Sequence, residues 1–150
     1  IASDAGYGYV THLKDMMSKN RAGKTQLTLP SGAKVLTPQR INDIESQYCA
    51  AVSSEGRLLL FPLACLPILP RGKGNKIIQI PSTRVANREE FVTAIAILNE
   101  NSTLTLEAGR RKYTMKSKDM VHYQSERGRR GNKLPRGFQH VDAIYANTDK

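Results

Sequence analysis

The chain has 150 residues, 39% of them apolar, and carries 23 Lys and Arg against 13 Asp and Glu, a net charge of +10. This length suits one compact domain or a short array of three units, and so basic a chain favours a polyanionic partner. No apolar run approaches the roughly 20 residues of a membrane-spanning helix, so we expect no membrane association. The chain opens with neither a signal peptide nor a methionine, so we also expect a fragment that lacks residues upstream.

The first fifty residues predict a glycine-led strand, a basic turn and a second strand. Residues 7–10 favour β structure, and residues 12–20 are polar and could form one helical turn. A glycine-bearing turn with Arg21 and Lys24 follows. Residues 26–29 then alternate polar and apolar side chains up to a proline, which is the period of a half-buried strand.

The remaining chain is also rich in predicted strands, and no alternation of strands with long helices appears. Gly56 closes a predicted β-hairpin, the proline-rich residues 62–70 form an extended corner, and residues 82–90 are a polar connector with room for a short helix. The predicted strands are residues 48–52, 58–61, 77–80, 91–98, 102–106, 111–115 and 138–145.

The same order of parts occurs three times, with a period near fifty residues. Gly6, Gly56 and Gly109 each begin a copy, and each copy carries strand, connection, basic turn and strand. Such a period indicates a repeat architecture in which neighbouring units stack to close a core. We therefore predict an all-β, propeller-like array of about three four-stranded antiparallel blades, with repeats near residues 1–50, 51–103 and 104–150.

The basic turns are the candidate binding site. Each one contains glycine, so its backbone can approach a phosphate and offer its own N–H groups. Each one falls at the same place in its repeat, so stacking should bring all three to one edge. A row of cations without interleaved aromatic platforms suits the backbone of duplex DNA and predicts binding without sequence readout. The predicted contacts are Arg21, Lys24, Arg71, Lys73, Lys76, Arg127, Arg129, Arg130, Lys133 and Arg136.

No catalytic, nucleotide or metal site is predicted. Residues 22–25 read AGKT, the end of a phosphate-binding loop, but the required earlier glycine is replaced by Ser18 and the flanking pattern is wrong. His12, His122 and His140 are far apart and lack acidic or thiol neighbours in ligand spacing.

The two cysteines are predicted to be structural. Cys49 and Cys65 stand among apolar neighbours, so free buried thiols are expected rather than a disulfide. Neither cysteine belongs to a CxxC pair, which argues against a zinc site.

The motifs of the three copies resemble one known family. They run collinearly through GYGYV, KNRAGK, GRLLLFP, RGKGNKIIQIPS, GRRKYTMK, ERGRRG and LPRGFQHVD. This order is similar to the C-terminal domain of the A subunit of bacterial topoisomerase IV (ParC), a relative of the gyrase A C-terminal domain. The resemblance implies a β-pinwheel whose blades exchange strand material and whose basic outer edge binds and bends duplex DNA.

The resemblance also implies what the rest of an intact enzyme supplies. Its cleavage tyrosine, Mg and ATP would lie in other domains, so this chain would need no cofactor. Its partners would be the B subunit of topoisomerase IV together with a second A subunit, in a heterotetramer that carries out ATP-dependent strand passage in the bacterial cytoplasm, near the nucleoid. The chain alone is expected to be monomeric.

The chain also departs from the family pattern. The family usually has five or six blades, whereas about three are present here, and the gyrase heptad (QRRGGKG-like) is absent. The missing heptad favours topoisomerase IV, although a gyrase DNA-wrapping domain stays open because gyrase carries the heptad in an early blade. Two hypotheses from different classes also stay open, namely a protein-interaction propeller whose basic edge docks an acidic partner, and an RNA-binding β domain.

Overall fold

The computed structural model describes residues 1–16 and 26–148. The strands in these residues are β1 (Tyr7–Gly8), β2 (Tyr48–Ser53), β3 (Arg57–Pro62), β4 (Asn75–Lys76), β5 (Val92–Leu98), β6 (Ser102–Ala108), β7 (Arg111–Met115), β8 (Asn132–Lys133) and β9 (Ala143–Thr148). The short helices are α1 (Leu13–Met16), α2 (Ser82–Ala86) and α3 (Ser117–Met120), with 3-10 turns at Leu63–Cys65 and Val121–Tyr123. None of the helices in these residues is long and apolar enough to cross a membrane.

The strands form three antiparallel sheets. The first sheet pairs β1 with β4, the second has the order β5-β2-β3-β8, and the third has the order β7-β6-β9. Isolated bridges extend the first sheet, for example between Ser3 and Val35. The prediction of an all-β array of about three antiparallel units is therefore confirmed, although within the described residues only the second sheet has the four strands that were expected.

The predicted hairpin of the middle copy is present as β2 and β3. Its turn ends at Gly56, whose φ of +76° lies in the left-handed region. A Cβ at Gly56 would come within 2.7 Å of the Cα of Gln139, so glycine also permits the third copy to pack closely against this turn. From this turn the two strands pair along their length, with Val52 opposite Leu58 at one end and Tyr48 opposite Pro62 at the other.

The middle sheet is buried on both faces, which explains the unbroken apolar run in β3. Successive residues of β3 enter two different cores: Leu58 and Leu60 pack toward the third sheet, and Leu59 and Phe61 pack toward the first. Burying one such side chain contributes about 1.5–3 kcal/mol, and none of the four is more than 2% exposed. The three sheets thus stack face to face, and the middle sheet contributes side chains to the core on each of its two faces.

Three strand predictions need correction in their position. Residues 26–29 contribute only a single bridge residue, Leu27. The strand expected at residues 77–80 is replaced by β4 just before it, because Ile77, Ile78 and Ile80 all enter one core instead of alternating between two faces as in β3. The last strand begins at Ala143 rather than at residue 138, since the backbone turns at Phe138, whose N–H donates to the carbonyl of Pro135.

The prediction of two buried thiols is correct for one cysteine only. Both cysteines are free, but Cys49 is buried in β2 and Cys65 is exposed at the end of the 3-10 turn. Burial raises the pKa of the Cys49 thiol to about 12. The proline-rich corner turns Cys65 outward because prolines at 62 and 67 limit the local helix to one turn.

Candidate nucleic-acid interface

Two of the three predicted basic turns lie within the described residues. We call residues 71–76 the second turn and residues 127–133 the third turn. Arg21 and Lys24 of the first turn lie outside the described part of the chain.

Each of these turns ends in a short strand that completes the sheet of the preceding copy. The tripeptide Gly-Asn-Lys occurs in both turns, as residues 74–76 and 131–133. Lys76 lies opposite Tyr7 in the first sheet, and Lys133 lies opposite Arg57 in the second. Tyr7 and Arg57 each directly follow the glycine that begins their copy, Gly6 or Gly56. The two exchanged strands therefore pair in the same register.

Glycine is required at the start of each exchanged strand. Gly74 and Gly131 have φ values of +84° and +79°. A Cβ at Gly74 would collide with the carbonyl oxygen of Gly8, and a Cβ at Gly131 would come within 2.9 Å of the carbonyl oxygen of Leu58. The close approach fixes the position of both turns against the neighbouring sheet.

Hydrogen bonds also join the third turn to the end of the second. The N–H of Gly128 donates to the carbonyl of Ile77 (2.8 Å), and the N–H of Gln79 donates to the carbonyl of Arg129 (2.9 Å). The guanidinium of Arg127 donates to the carbonyl of Lys76 (2.6 Å). The turns are therefore neighbours on one edge of the stacked sheets.

The second turn makes a similar contact with the residues after the first turn. The N–H of Gly72 donates to the carbonyl of Gln26 (3.1 Å), and the N–H of Thr28 donates to the carbonyl of Gly72 (2.9 Å). Gln26 and Ile77 hold equivalent places in their repeats, four residues before a proline. The first of these bonds is thus repeated between successive copies, while the second accepts at the turn glycine here and one residue later, at Arg129, in the third turn.

Arg130 points into the protein rather than away from it. Its two terminal nitrogens donate to the two carboxylate oxygens of Glu90, at 2.5 and 2.6 Å. Glu90 is completely buried, and Arg84 approaches it from the other side at 3.3 Å. A buried carboxylate needs such partners, because an unpaired charge in the interior is strongly unfavourable. Arg130 thereby attaches the third turn to the start of β5.

Most of the remaining predicted cations are exposed. Arg71, Lys73, Arg129, Lys133 and Arg136 all lie at the surface. Lys73 is held over the ring of Tyr7, 4.3 Å from its centroid. Arg129 pairs with Glu126 at 2.9 Å, but both side chains are largely exposed (66% and 79%), so solvent screens the pair.

Lys76 is intermediate between these two groups. It is half-buried, and its Nζ donates to Oε1 of Gln79 at 2.6 Å. The third turn, which has the most arginines, thus directs two of them, Arg127 and Arg130, onto protein acceptors.

Sequence reasoning missed Glu90, which it placed in a polar connector. The one signal in the sequence is position: Glu90 stands one residue before an apolar strand, where a carboxylate can be buried only if a cation accompanies it. The partner, Arg130, lies 40 residues away and could not be matched without the fold.

The described residues contain no group of three or more His, Cys, Asp or Glu side chains that could hold a metal ion. His140 uses Nδ1 at 3.2 Å from the carbonyl oxygen of Ser54, and His122 stacks edge-on against Tyr123. Residues 22–25 lie outside the described residues. What the described edge offers is a set of exposed cations, a chemistry suited to phosphate. The expected backbone donors are already used, because the N–H groups of Gly72 and Gly128 donate to protein carbonyls.

Stacked antiparallel sheets that exchange their outer strands and carry basic turns on one edge define a β-pinwheel. The solved C-terminal domain of ParC from E. coli has the same fold, with a TM-score of 0.90 and 41% identity, covering 99% of this chain and 59% of that one. A C-terminal domain of DNA topoisomerase IV (TM-score 0.77, 15% identity, 99% of this chain and 45% of that one) and that of DNA gyrase A (0.65, 17%, 97% and 46%) share the fold.

Curated relatives give the same result from sequence. The A subunit of DNA topoisomerase 4 is 56% identical over 147 residues in Pseudomonas aeruginosa and 44% identical over 150 residues in E. coli K12, matches that cover 98% and 100% of this chain. The chain belongs to the C-terminal domains of the topoisomerase IV A subunit, as its motifs predict. It spans about a fifth of those relatives (20% of each). No family model matches the chain.

Proposed function

We propose that this chain binds the phosphate backbone of duplex DNA, without reading its sequence, through the edge formed by the basic turns. The observation that carries the proposal is the equal register of the second and third turns, each of which is hydrogen-bonded to the copy before it. A periodic row of cations fits a periodic polyanion. The contacts come from the exposed side chains, namely Arg71, Lys73, Arg129, Lys133 and Arg136.

The half-buried cations have a different part in this proposal. Arg127 and Arg130 fix the third turn against Lys76 and Glu90, so that its exposed neighbours are held in place. Lys76 reaches the edge from within a strand. Arg21 and Lys24 hold the equivalent place in the sequence of the first repeat and stay predicted contacts, outside the described residues.

We further propose that binding bends the duplex. Cations along one edge neutralise phosphates on one side of the helix only, and bending toward that side then brings further phosphates to further turns. Phosphate contacts position the duplex but carry no sequence information. The shape of the DNA and its local availability, rather than its sequence, would therefore decide which segment is bound.

In the intact protein this binding would serve a type II topoisomerase. The relatives that support this are A subunits of DNA topoisomerase 4 with 56% and 44% identity, whereas the gyrase A domain is 17% identical. We propose that the chain presents DNA for ATP-dependent decatenation and relaxation during chromosome segregation in the bacterial cytoplasm. Its partners would be the B subunit of the enzyme together with a second A subunit, with ATP and Mg bound outside this chain.

A salt titration tests the proposal. The chain and a labelled random-sequence duplex are mixed between about 50 and 200 mM salt, and log affinity is plotted against log salt, where each phosphate contact contributes a slope of about −0.9. Five exposed cations predict a slope of about −4.5, equal for two unrelated sequences. An affinity that hardly changed over this range would rule out backbone binding. Energy transfer between the duplex ends measures bending separately, and unchanged transfer would remove that part alone.

A further inference from the structure

The stacked sheets leave a groove at each junction between copies. The first groove, of about 490 Å³, lies between the head of the first copy and the second turn, and Tyr7, Lys73, Lys76 and Thr83 are among its walls. The second groove, of about 580 Å³, lies between the head of the second copy and the third turn. Its walls include Glu55, Arg57, Arg84, Arg130, Lys133 and His140.

The two grooves are built from equivalent positions. Lys76 and Lys133 are the last residues of the two Gly-Asn-Lys strands, and the residues opposite them, Tyr7 and Arg57, line the same grooves. Thr83 and His140 each stand seven residues beyond that lysine. One architectural unit has therefore produced the same groove twice.

Both grooves are lined by an excess of positive charge, although their residues differ. The first contains Lys73 and Lys76 and no carboxylate among its described lining. The second has four cations and one carboxylate, Glu55, in its walls, and the buried Glu90 pairs with two of those cations from behind. The excess of cations in both grooves suits an anionic occupant.

Polar hydrogen-bond donors line the grooves beside the cations. Ser31, Ser82 and Thr83 supply hydroxyl groups in the first, and Gln139 and His140 stand in the second. Arginine, lysine, hydroxyl and amide groups are the side chains that contact DNA phosphates.

We propose that these grooves receive the sugar–phosphate backbone of duplex DNA, so that Arg57 is a contact residue in addition to those of the turns. This inference rests on the proposed function and deepens it. A small anion would occupy a single site, whereas two equivalent grooves in one array match a polymer with a repeating charge. The backbone then lies between the blades rather than only across the tips of the turns.

Arg57→Gln tests the groove, with Lys118→Gln as its control. Both remove one positive charge, but Lys118 is an exposed residue of α3 that lines neither groove. We expect Arg57→Gln to make the salt slope of duplex binding less negative by about 0.9, and Lys118→Gln to leave it unchanged. A wild-type slope in Arg57→Gln would overturn the groove while leaving the turns intact. If the affinity of the wild-type chain for duplex did not depend on salt at all, the proposed function itself would be wrong.

Because Arg57 also donates to the carbonyl of Gly131 (3.0 Å), a second measurement keeps all charges in place. In a chain carrying Cys65→Ser, the exposed groove residue Thr83 is replaced by cysteine, and labelling by a neutral maleimide is timed with and without duplex. We expect duplex to slow labelling several-fold at Thr83→Cys and not at Ser117→Cys on α3. Equal rates with and without duplex at Thr83→Cys would overturn the proposal.

Discussion

Arg130 and Glu90 are separated by 40 residues in the chain, yet they form a two-fold hydrogen-bonded ion pair at 2.5 and 2.6 Å. The carboxylate is fully buried, and about a third (35%) of the arginine side chain is exposed. The pair joins the third turn to the start of β5, and β5 and the turn's own strand β8 lie at opposite edges of the second sheet. It therefore couples the candidate DNA-binding edge to the core.

Because Glu90 is fully buried and Arg130 is partly exposed, we expect substitutions of the two residues to lower the stability of the fold by different amounts. Arg130→Gln leaves Glu90 charged and buried with only Arg84 at 3.3 Å, and it should reduce the free energy of unfolding by about 3 kcal/mol. Glu90→Gln should cost less, about 1–2 kcal/mol, because Arg130 can turn toward water. Urea denaturation measures both. The surface pair supplies the control: Arg129→Gln should change stability by less than about 1 kcal/mol.

The glycines of the exchanged strands predict a graded series of alanine substitutions. Gly74→Ala should be the most damaging, above about 3 kcal/mol, because its Cβ would collide with the carbonyl oxygen of Gly8. Gly131→Ala, whose Cβ would lie 2.9 Å from such an oxygen, should come second. Gly109→Ala has a similar φ of +62° but open space, so it should lose only about 1 kcal/mol from backbone strain. Thermal or urea unfolding would reveal a different order if the close approach were unimportant.

Exposed turn cations should act on affinity and not on stability. Arg71→Gln and Lys133→Gln should each make the salt slope of duplex binding less negative by about 0.9, equally for two unrelated sequences. An effect confined to one sequence would contradict backbone recognition. Charge reversal should use Arg129→Glu, since reversal at Arg127 or Arg130 would also break the contacts that fix the turn.

The two thiols should differ sharply in reactivity. Burial raises the pKa of Cys49 to about 12, so the thiolate that reacts with alkylating agents is scarce at mildly alkaline pH, and the side chain is also inaccessible. Iodoacetamide should therefore modify exposed Cys65 alone in the native chain and both residues in denaturant. Mass spectrometry counts the adducts, and rapid native modification of Cys49 would show that β2 opens readily.

The hairpin of the middle copy could be predicted from the sequence because it depends on a local signal, since Gly56 closes it through its own conformation. The exchange of strands was expected only from the family resemblance, and its register at the two Gly-Asn-Lys tripeptides is seen in the structure alone. The orientation of the third turn could not be predicted in this way. It depends on Glu90, which a local pattern assigns to a polar connector and which only the fold buries.

The prediction of a strand at residues 77–80 was wrong for a related reason. Residues 77–80 look like a strand because they are apolar and β-branched, but Ile77 and Ile78 are both buried in one core. Strand pairing stops at Lys76, and the isoleucines pack where the stacked sheets need volume. Local propensity was overridden by packing between the copies.

The direction of strand exchange has a consequence for how the chain is made. Both exchanged strands within the described residues, β4 and β8, run from a later copy to an earlier sheet, and Arg57 meets Gly131 across 74 residues. During synthesis, β3 leaves the ribosome long before β8 exists to cover it. The growing chain therefore exposes an unpaired sheet edge, a surface open to wrong pairing with other chains, until the basic turn of the next copy has been made.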